Sequence, residues 1–383
     1  MAANRNLFRL TRFVLLKVPY VFRLFARFRG AKKKLLIIKA DAIGDYVLFR
    51  NFIETIKYSG KFKNHELHLL GNEIWRDLAL HHDATHITNF IFTRPNHLYY
   101  SPWIVLRLGW QLFKGNYEVV LNPNSTRNFI TDGFAGLTAA KHIIGFYSDT
   151  EGIPGKYKIK TDKFYTRLIN LPSSVYFEFH RSRYFIEKVL GEPVNLTQPY
   201  FKLPVVKRKG ILIFPGAGLP ERGWQPERFA ALINVLTRYT SQTIYIAGGS
   251  NEVSANNLIT KLTTANNVIN ITGKTTVPEL VSLIASSALV IGNDSSAIHI
   301  AAATSTPSVC ITGGGHFRRF VPYPREIDNG PFCIYQKLPC YNCNWECMHQ
   351  VTPQQTFPCI DEIDVERVWQ SLAVNYPFIS DSI

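Results

Sequence analysis

The stretch LLIIKADAIGDYVLF, residues 35 to 49, sets two carboxylates, Asp41 and Asp45, around one glycine where an apolar strand gives way to a helical pattern. A carboxylate at such a place either takes a proton from a substrate hydroxyl or only starts the helix, where free amides favour its charge. Asp41, directly after the strand, reads as a turn or cap residue. Three later stretches carry groups suited to a phosphate or a nucleotide. In ILIFPGAGLPERGWQPERF, residues 211 to 229, a strand ends in Pro215-Gly216-Ala217-Gly218, where glycines let backbone amides approach a phosphate, and Arg222 follows. An ordinary turn is the alternative there, since no P-loop ending in Gly-Lys-Ser/Thr is present. IYIAGGSNE, residues 244 to 252, has a second glycine turn and then Glu252, which either accepts hydrogen bonds from a ribose or base edge or favours a helix start. In LVIGNDSSAIHIAAA, residues 289 to 303, Asp294 follows a strand, Ser295 and Ser296 fall in a first helical turn, and Ser295 and His299 share a helical face. Free amides at that start favour a diphosphate; the plainer alternative is Asp294 as N-cap above a buried His299.

Such residues need strands to hold them. Short apolar runs alternate with helical patterns at Leu35–Lys39, Leu67–Leu70, Ile87–Phe92, Val119–Leu121 and His142–Ile144, which predicts strand-helix-strand units and a parallel sheet. Residues 193 to 209 bring prolines and a basic cluster without periodicity, as a linker does. The pattern restarts at Ile211–Phe214, Thr243–Ala247, Val268–Ile271, Leu289–Ile291 and Ser308–Ile311. A chain of 383 residues is long for one core, so two open α/β domains are expected, with a ligand at the carboxyl ends of their strands in the cleft between them. With 46% apolar and 19% charged residues, the body is folded and globular.

The net charge of +15 is concentrated at one end: the first 40 residues hold eleven Lys or Arg and no acid, leaving the rest near balance. In that arm the cations, Lys39 counted among them, interleave with Leu, Val and Phe, predicting a basic amphipathic helix with a kink at Pro19. Its longest clean apolar run, Phe13–Leu16, is too short for a secretory signal or a spanning helix. An interfacial helix on an anionic membrane fits better than a helix docked on the protein's own body, and a nucleic-acid arm fits least, because no basic groove follows elsewhere.

Together these segments resemble glycosyltransferase family 9, typified by the ADP-heptose:lipopolysaccharide heptosyltransferases. The resemblance runs from about residue 35 to the C-terminus. It rests on IGD at 43 to 45, PGAG at 215 to 218, R-x-W at 222 to 224, the block from Ile271 to Ala303 and the late cysteine segment. It implies a GT-B fold of two Rossmann-like domains. A basic arm over 1–34, an acceptor-binding domain over 35–200, a nucleotide-sugar-binding domain over 201–360 and a terminal helix over 361–383 are then expected. It implies inverting, metal-independent transfer, with Asp45 as general base and no cofactor beyond the ADP-heptose-like donor. Donor contacts map to Gly216, Ala217, Gly218, Arg222, Glu252, Thr275, Asp294, Ser295, Ser296 and His299. The family usually has Lys where Arg222 stands and Gly where Ser296 stands. Expected partners are a lipid-linked saccharide and an anionic surface, at the inner face of the cytoplasmic membrane, and not nucleic acid. Another nucleotide donor serving a capsule or protein glycan, and a non-catalytic sugar-nucleotide binder on the same fold, are the rival readings.

Asn124 and Arg127, just after a strand of the first domain, are candidates for the acceptor side. Cys340, Cys343, Cys347 and Cys359 have no familiar zinc-ribbon spacing; free thiols in a reducing compartment are the default reading and a structural zinc the minority one. His81, His82 and His86 read as solvent-facing.

Overall fold

The computed structural model describes residues 4–30, 32–147, 155–352 and 355–377. The chain divides into two compact units, residues 1–196 and 197–383. Each is built on a six-stranded parallel sheet.

In the first unit the strands are β1 (Lys32–Lys39), β2 (Glu66–Asn72), β3 (Asn89–Thr93), β4 (Tyr117–Asn122), β5 (His142–Phe146) and β6 (Arg167–Ile169), in the order β3-β2-β1-β4-β5-β6. Chain order reverses between β1 and β4, so the loops leaving those two strands open a crevice at their carboxyl ends. In the second unit β7 (Ile211–Phe214), β8 (Ile244–Ile246), β9 (Val268–Asn270), β10 (Leu289–Asn293), β11 (Ser308–Ile311) and β12 (Phe332–Ile334) follow the order β12-β11-β10-β7-β8-β9, reversing between β7 and β10. Central strands such as LLIIK and LVIGN bury residues on both faces, as parallel sheets require, which is why they read as unbroken apolar runs.

The N-terminal arm is one helix, Arg5–Ala26, that runs through Pro19 and is capped by the Asn4 side chain. The expected separation between arm and body does not hold. Val14, Leu15 and Phe22 belong to the core of the first unit, alongside Leu112 of the helix Pro102–Gly115 and Phe134 of the helix Phe129–Leu137. The approach is so close that a Cβ on Gly133 would meet the Leu15 side chain at 2.5 Å. Arg23 adds a 2.6 Å hydrogen bond to the Phe164 carbonyl. Burying each such apolar side chain stabilises by about 1.5–3 kcal/mol, so the helix is a structural layer of its unit. The opposite face, with Leu10, Phe13, Tyr20, Val21 and Leu24, stays exposed. No helix among the described residues is long and apolar enough to cross a membrane.

Lys39, at the end of β1 as the run Leu35–Lys39 predicts, is only 1% exposed and takes no part in the basic surface.

Candidate active site

At the switch point of the first sheet, β1 ends in Lys39 and the helix Ile43–Phe49 begins two residues after Asp41, with Asp45 in its first turn. The helix start is not capped by an aspartate: Ala42 is the N-cap and makes no side-chain cap bond. Of the two roles expected for Asp41, turn or cap, it holds the first: it lies in the bend after β1 and accepts from the Lys39 ammonium at 2.8 Å. Burial works against the Lys39 charge, and Asp41, then Asp45 and Glu178, outweigh it and hold its pKa above the ordinary value. Behind Asp45 the helix is clamped. Tyr46 stacks on Trp75 at 3.9 Å, and its hydroxyl donates to Asp83 at 2.7 Å, while Arg50 pairs with the same carboxylate at 2.8 Å.

Asn124 and Arg127 stand on the loop after β4, the other side of the switch. Asn124 accepts from Lys39 at 3.0 Å and donates to Asn122 at 2.9 Å; Asn122 donates to the Tyr165 hydroxyl, which donates to Asp132 at 2.6 Å. Arg127 has no exposed surface and pairs with Asp132 and Asp162, so neither residue offers the open contact expected of an acceptor subsite. They form a buried polar network at the end of β4, in which Arg127 Nε and Nη1 are left without a hydrogen-bond partner.

In the second unit four loops leave the carboxyl ends of β7, β8, β9 and β10. Asn293, the last residue of β10, ties the first of these down: its amide donates to the Pro215 carbonyl at 2.5 Å and its carbonyl accepts from the Trp224 amide at 3.0 Å. Glu252 lies against the same loop, and a Cβ on Gly216 would fall 1.8 Å from its carboxylate, so only glycine admits this contact. Its Oε2 accepts from the Gly249 amide at 2.6 Å, and burial raises its pKa. Ala217 is half-buried and Gly218 exposed at the mouth.

Arg222 and Asp294 are near enough to oppose each other's desolvation. Burial pushes the Asp294 carboxyl up to about 7, with Arg222 pulling it down. Burial lowers the Arg222 pKa, against Glu221 and Asp294. Ser295, not Asp294, is the N-cap of the helix Ser296–Ala303, again without a side-chain cap bond. Both Arg222 Nε and Ser295 Oγ are buried without a hydrogen-bond partner. Unpaired polar atoms at low dielectric are costly unless a ligand completes them. Ser296 opens the helix half-exposed. His299 is buried, its pKa lowered to about 4, with Nδ1 at 2.8 Å from the Tyr323 hydroxyl and Nε2 at 4.0 Å from Asp294. Thr275 stands half-exposed on the loop after β9, beside the capped start of the helix Val277–Ser286, and lies outside the Arg222, Asp294 and His299 group.

Sequence reading passed over Lys39, Tyr323 and Trp345. The Arg222 guanidinium lies 4.7 Å from the Trp345 ring centre, so the cysteine segment supplies a wall of this site. Cys340, Cys343, Cys347 and Cys359 line one small pocket of about 10 Å³ with Tyr341, Trp345 and Phe357. Among the described residues, no three His, Cys, Asp or Glu side chains are drawn together closely enough to hold a metal ion.

Comparison with known proteins agrees with this geometry. The family described as Glycosyltransferase family 9 (heptosyltransferase) matches residues 105–348. Lipopolysaccharide heptosyltransferase 3 of Escherichia coli K12 is 30% identical over 135 residues, covering 35% of this chain but only 39% of that protein. The structure of E. coli ADP-heptose lipopolysaccharide heptosyltransferase II superposes with a TM-score of 0.67 at 16% identity, over 89% of this chain and 98% of that one. The iron-containing dodecameric heptosyltransferase TibC, solved with ADP-D-beta-D-heptose, gives a TM-score of 0.53 at 15% identity, over 92% of this chain and 78% of that one. These likenesses show a GT-B architecture.

Proposed function

Since the chain belongs to glycosyltransferase family 9, we propose that it moves a sugar from a nucleoside-diphosphate donor of the ADP-heptose kind to a lipopolysaccharide core or related glycolipid. Transfer is inverting and needs no metal in the chemical step. The observation that carries this reading is the pair of buried, unpartnered atoms, Arg222 Nε and Ser295 Oγ, next to Asp294 at the switch point of the second sheet. A diphosphate completes both. The amides of residues 216–218 and the start of the helix Ser296–Ala303 add dipoles aimed at the same charge. Glu252 accepts from the ribose. Asp45 takes the proton of the acceptor hydroxyl as its oxygen bonds to the anomeric carbon. The bond to the diphosphate breaks, its electron pair leaves with the nucleotide, and Arg222 holds the charge that builds there.

The acceptor is tied to a lipid, and the exposed face of the N-terminal helix suits an anionic bilayer at the cytoplasmic face. Phe25 is 61% and Phe28 89% exposed, and Trp103 on the neighbouring helix Pro102–Gly115 is 72% exposed. Aromatics at the headgroup level and cations beside them are the two components of interfacial binding.

A panel of ADP-, UDP- and GDP-sugars tests the donor assignment. The expected result is a rise in melting temperature and slow hydrolysis with the ADP-sugar; stabilisation by a UDP- or GDP-sugar alone overturns the donor, and stabilisation by none overturns the site.

A further inference from the structure

The N-terminal helix has a basic flank distinct from its apolar exposed face. Arg9, Arg12 and Lys17 on this helix face Lys160 and Lys163, at the end of the helix Gly155–Asp162, across an open groove of about 460 Å³. Phe13 and Tyr20 form part of its wall, and no acidic side chain is among the described residues lining it. The walls are braced. Arg12 stacks on Tyr157 at 4.2 Å, Tyr20 packs on Phe164 at 5.8 Å, and Arg23 holds the Lys163 carbonyl at 3.0 Å.

Five cations facing one groove repel one another unless an anion sits among them, and a single phosphate monoester, of charge about −1.5 to −2, does not balance them. Two phosphate groups on one small scaffold, about −3 to −4 together, offset most of that charge. The groove volume is that of a small-ligand site, and Phe13, 58% exposed, adds an apolar surface to its wall.

We propose that this groove is a binding site for the bis-phosphorylated headgroup of an anionic membrane glycolipid. The site rests on the reading above that the same helix lies on a membrane. It makes that contact selective: the apolar face binds any anionic bilayer, and the groove selects lipids carrying two phosphates.

The test uses the full chain and three vesicle types matched in surface charge, doped with bis-phosphorylated lipid A, with its monophosphoryl form, or with phosphatidylglycerol. Wild type is expected to bind the bis-phosphorylated vesicles roughly tenfold more tightly than either other type. The triple variant Lys17→Gln, Lys160→Gln, Lys163→Gln changes exposed side chains only, so an unchanged melting temperature is expected. It should lose that preference while still binding phosphatidylglycerol vesicles. No preference in wild type, or a preference that survives in the triple variant, overturns the groove and leaves the surface reading standing. Failure of wild type to bind any of the three overturns both.

Discussion

The Lys39 ammonium sits 2.8 Å from the Asp41 carboxylate with almost none of its side chain exposed, at the point where β1 feeds the helix that carries Asp45. The lysine is therefore a positioning residue for the proposed base. Replacing it by Met leaves Asp41 and Asn124 without their donor. Breaking a buried pair costs about 3–5 kcal/mol, and Asp41 keeps enough solvent contact to place the loss near the low end. Urea denaturation of Lys39→Met should show it. The acid limb of the pH–rate profile should also move to higher pH, because a cation beside Asp45 is gone; an unmoved limb would leave Lys39 a structural role alone.

Arg222 is held over Trp345 with an unpaired Nε, ready for an anion. A charge-assisted hydrogen bond is worth about 1.5–3 kcal/mol, so Arg222→Ala should weaken ADP binding by roughly 10- to 150-fold. Arg222→Lys should restore charge but not the fork, and recover only part of that loss. Calorimetric titration with ADP separates the cases.

Asp294 makes the protein sensitive to pH near neutrality. Its folded value, about 7, lies above its free value of 3.8, so its contribution to stability is complete below 3.8 and is lost as pH rises through about 7. His299 works in the opposite sense: lowered from 6.5 to about 4, it contributes stability above 6.5 that is lost as pH falls through 4. Between 4 and 6.5 the two largely offset each other, and above 6.5 only the Asp294 slope remains. Relative to Asp294→Asn, which keeps His299, wild type should therefore lose stability between about pH 4 and 7 and hold level above that, read by urea midpoints. ADP affinity should fall above pH 7 in wild type, at most about tenfold per pH unit, and stay flat in Asp294→Asn.

Most of this architecture is legible in the chain because parallel strands buried on both faces announce themselves as apolar runs: Ser308–Ile311 is read with its observed bounds, and Leu289–Ile291 falls short of β10 by two residues. The short edge strands Arg167–Ile169 and Phe332–Ile334 escape notice, since three residues at an edge carry no period. Gly216, Arg222, Asp294 and Ser295 lie at strand ends, where glycine turns and helix starts leave a local mark. The run Leu35–Lys39 places Lys39 at a strand end, but its burial and its pairing with Asp41 leave no mark in the spacing. Nor does spacing show that Trp345 meets Arg222, a contact across 123 residues of chain.

The most direct test of the whole account is single-turnover sugar transfer by Asp45→Asn, with donor affinity measured on the same preparation. The account predicts donor binding within about twofold of wild type and transfer slowed by roughly 10²- to 10⁴-fold, the contribution of a general base. Near-normal transfer with intact donor binding would contradict it.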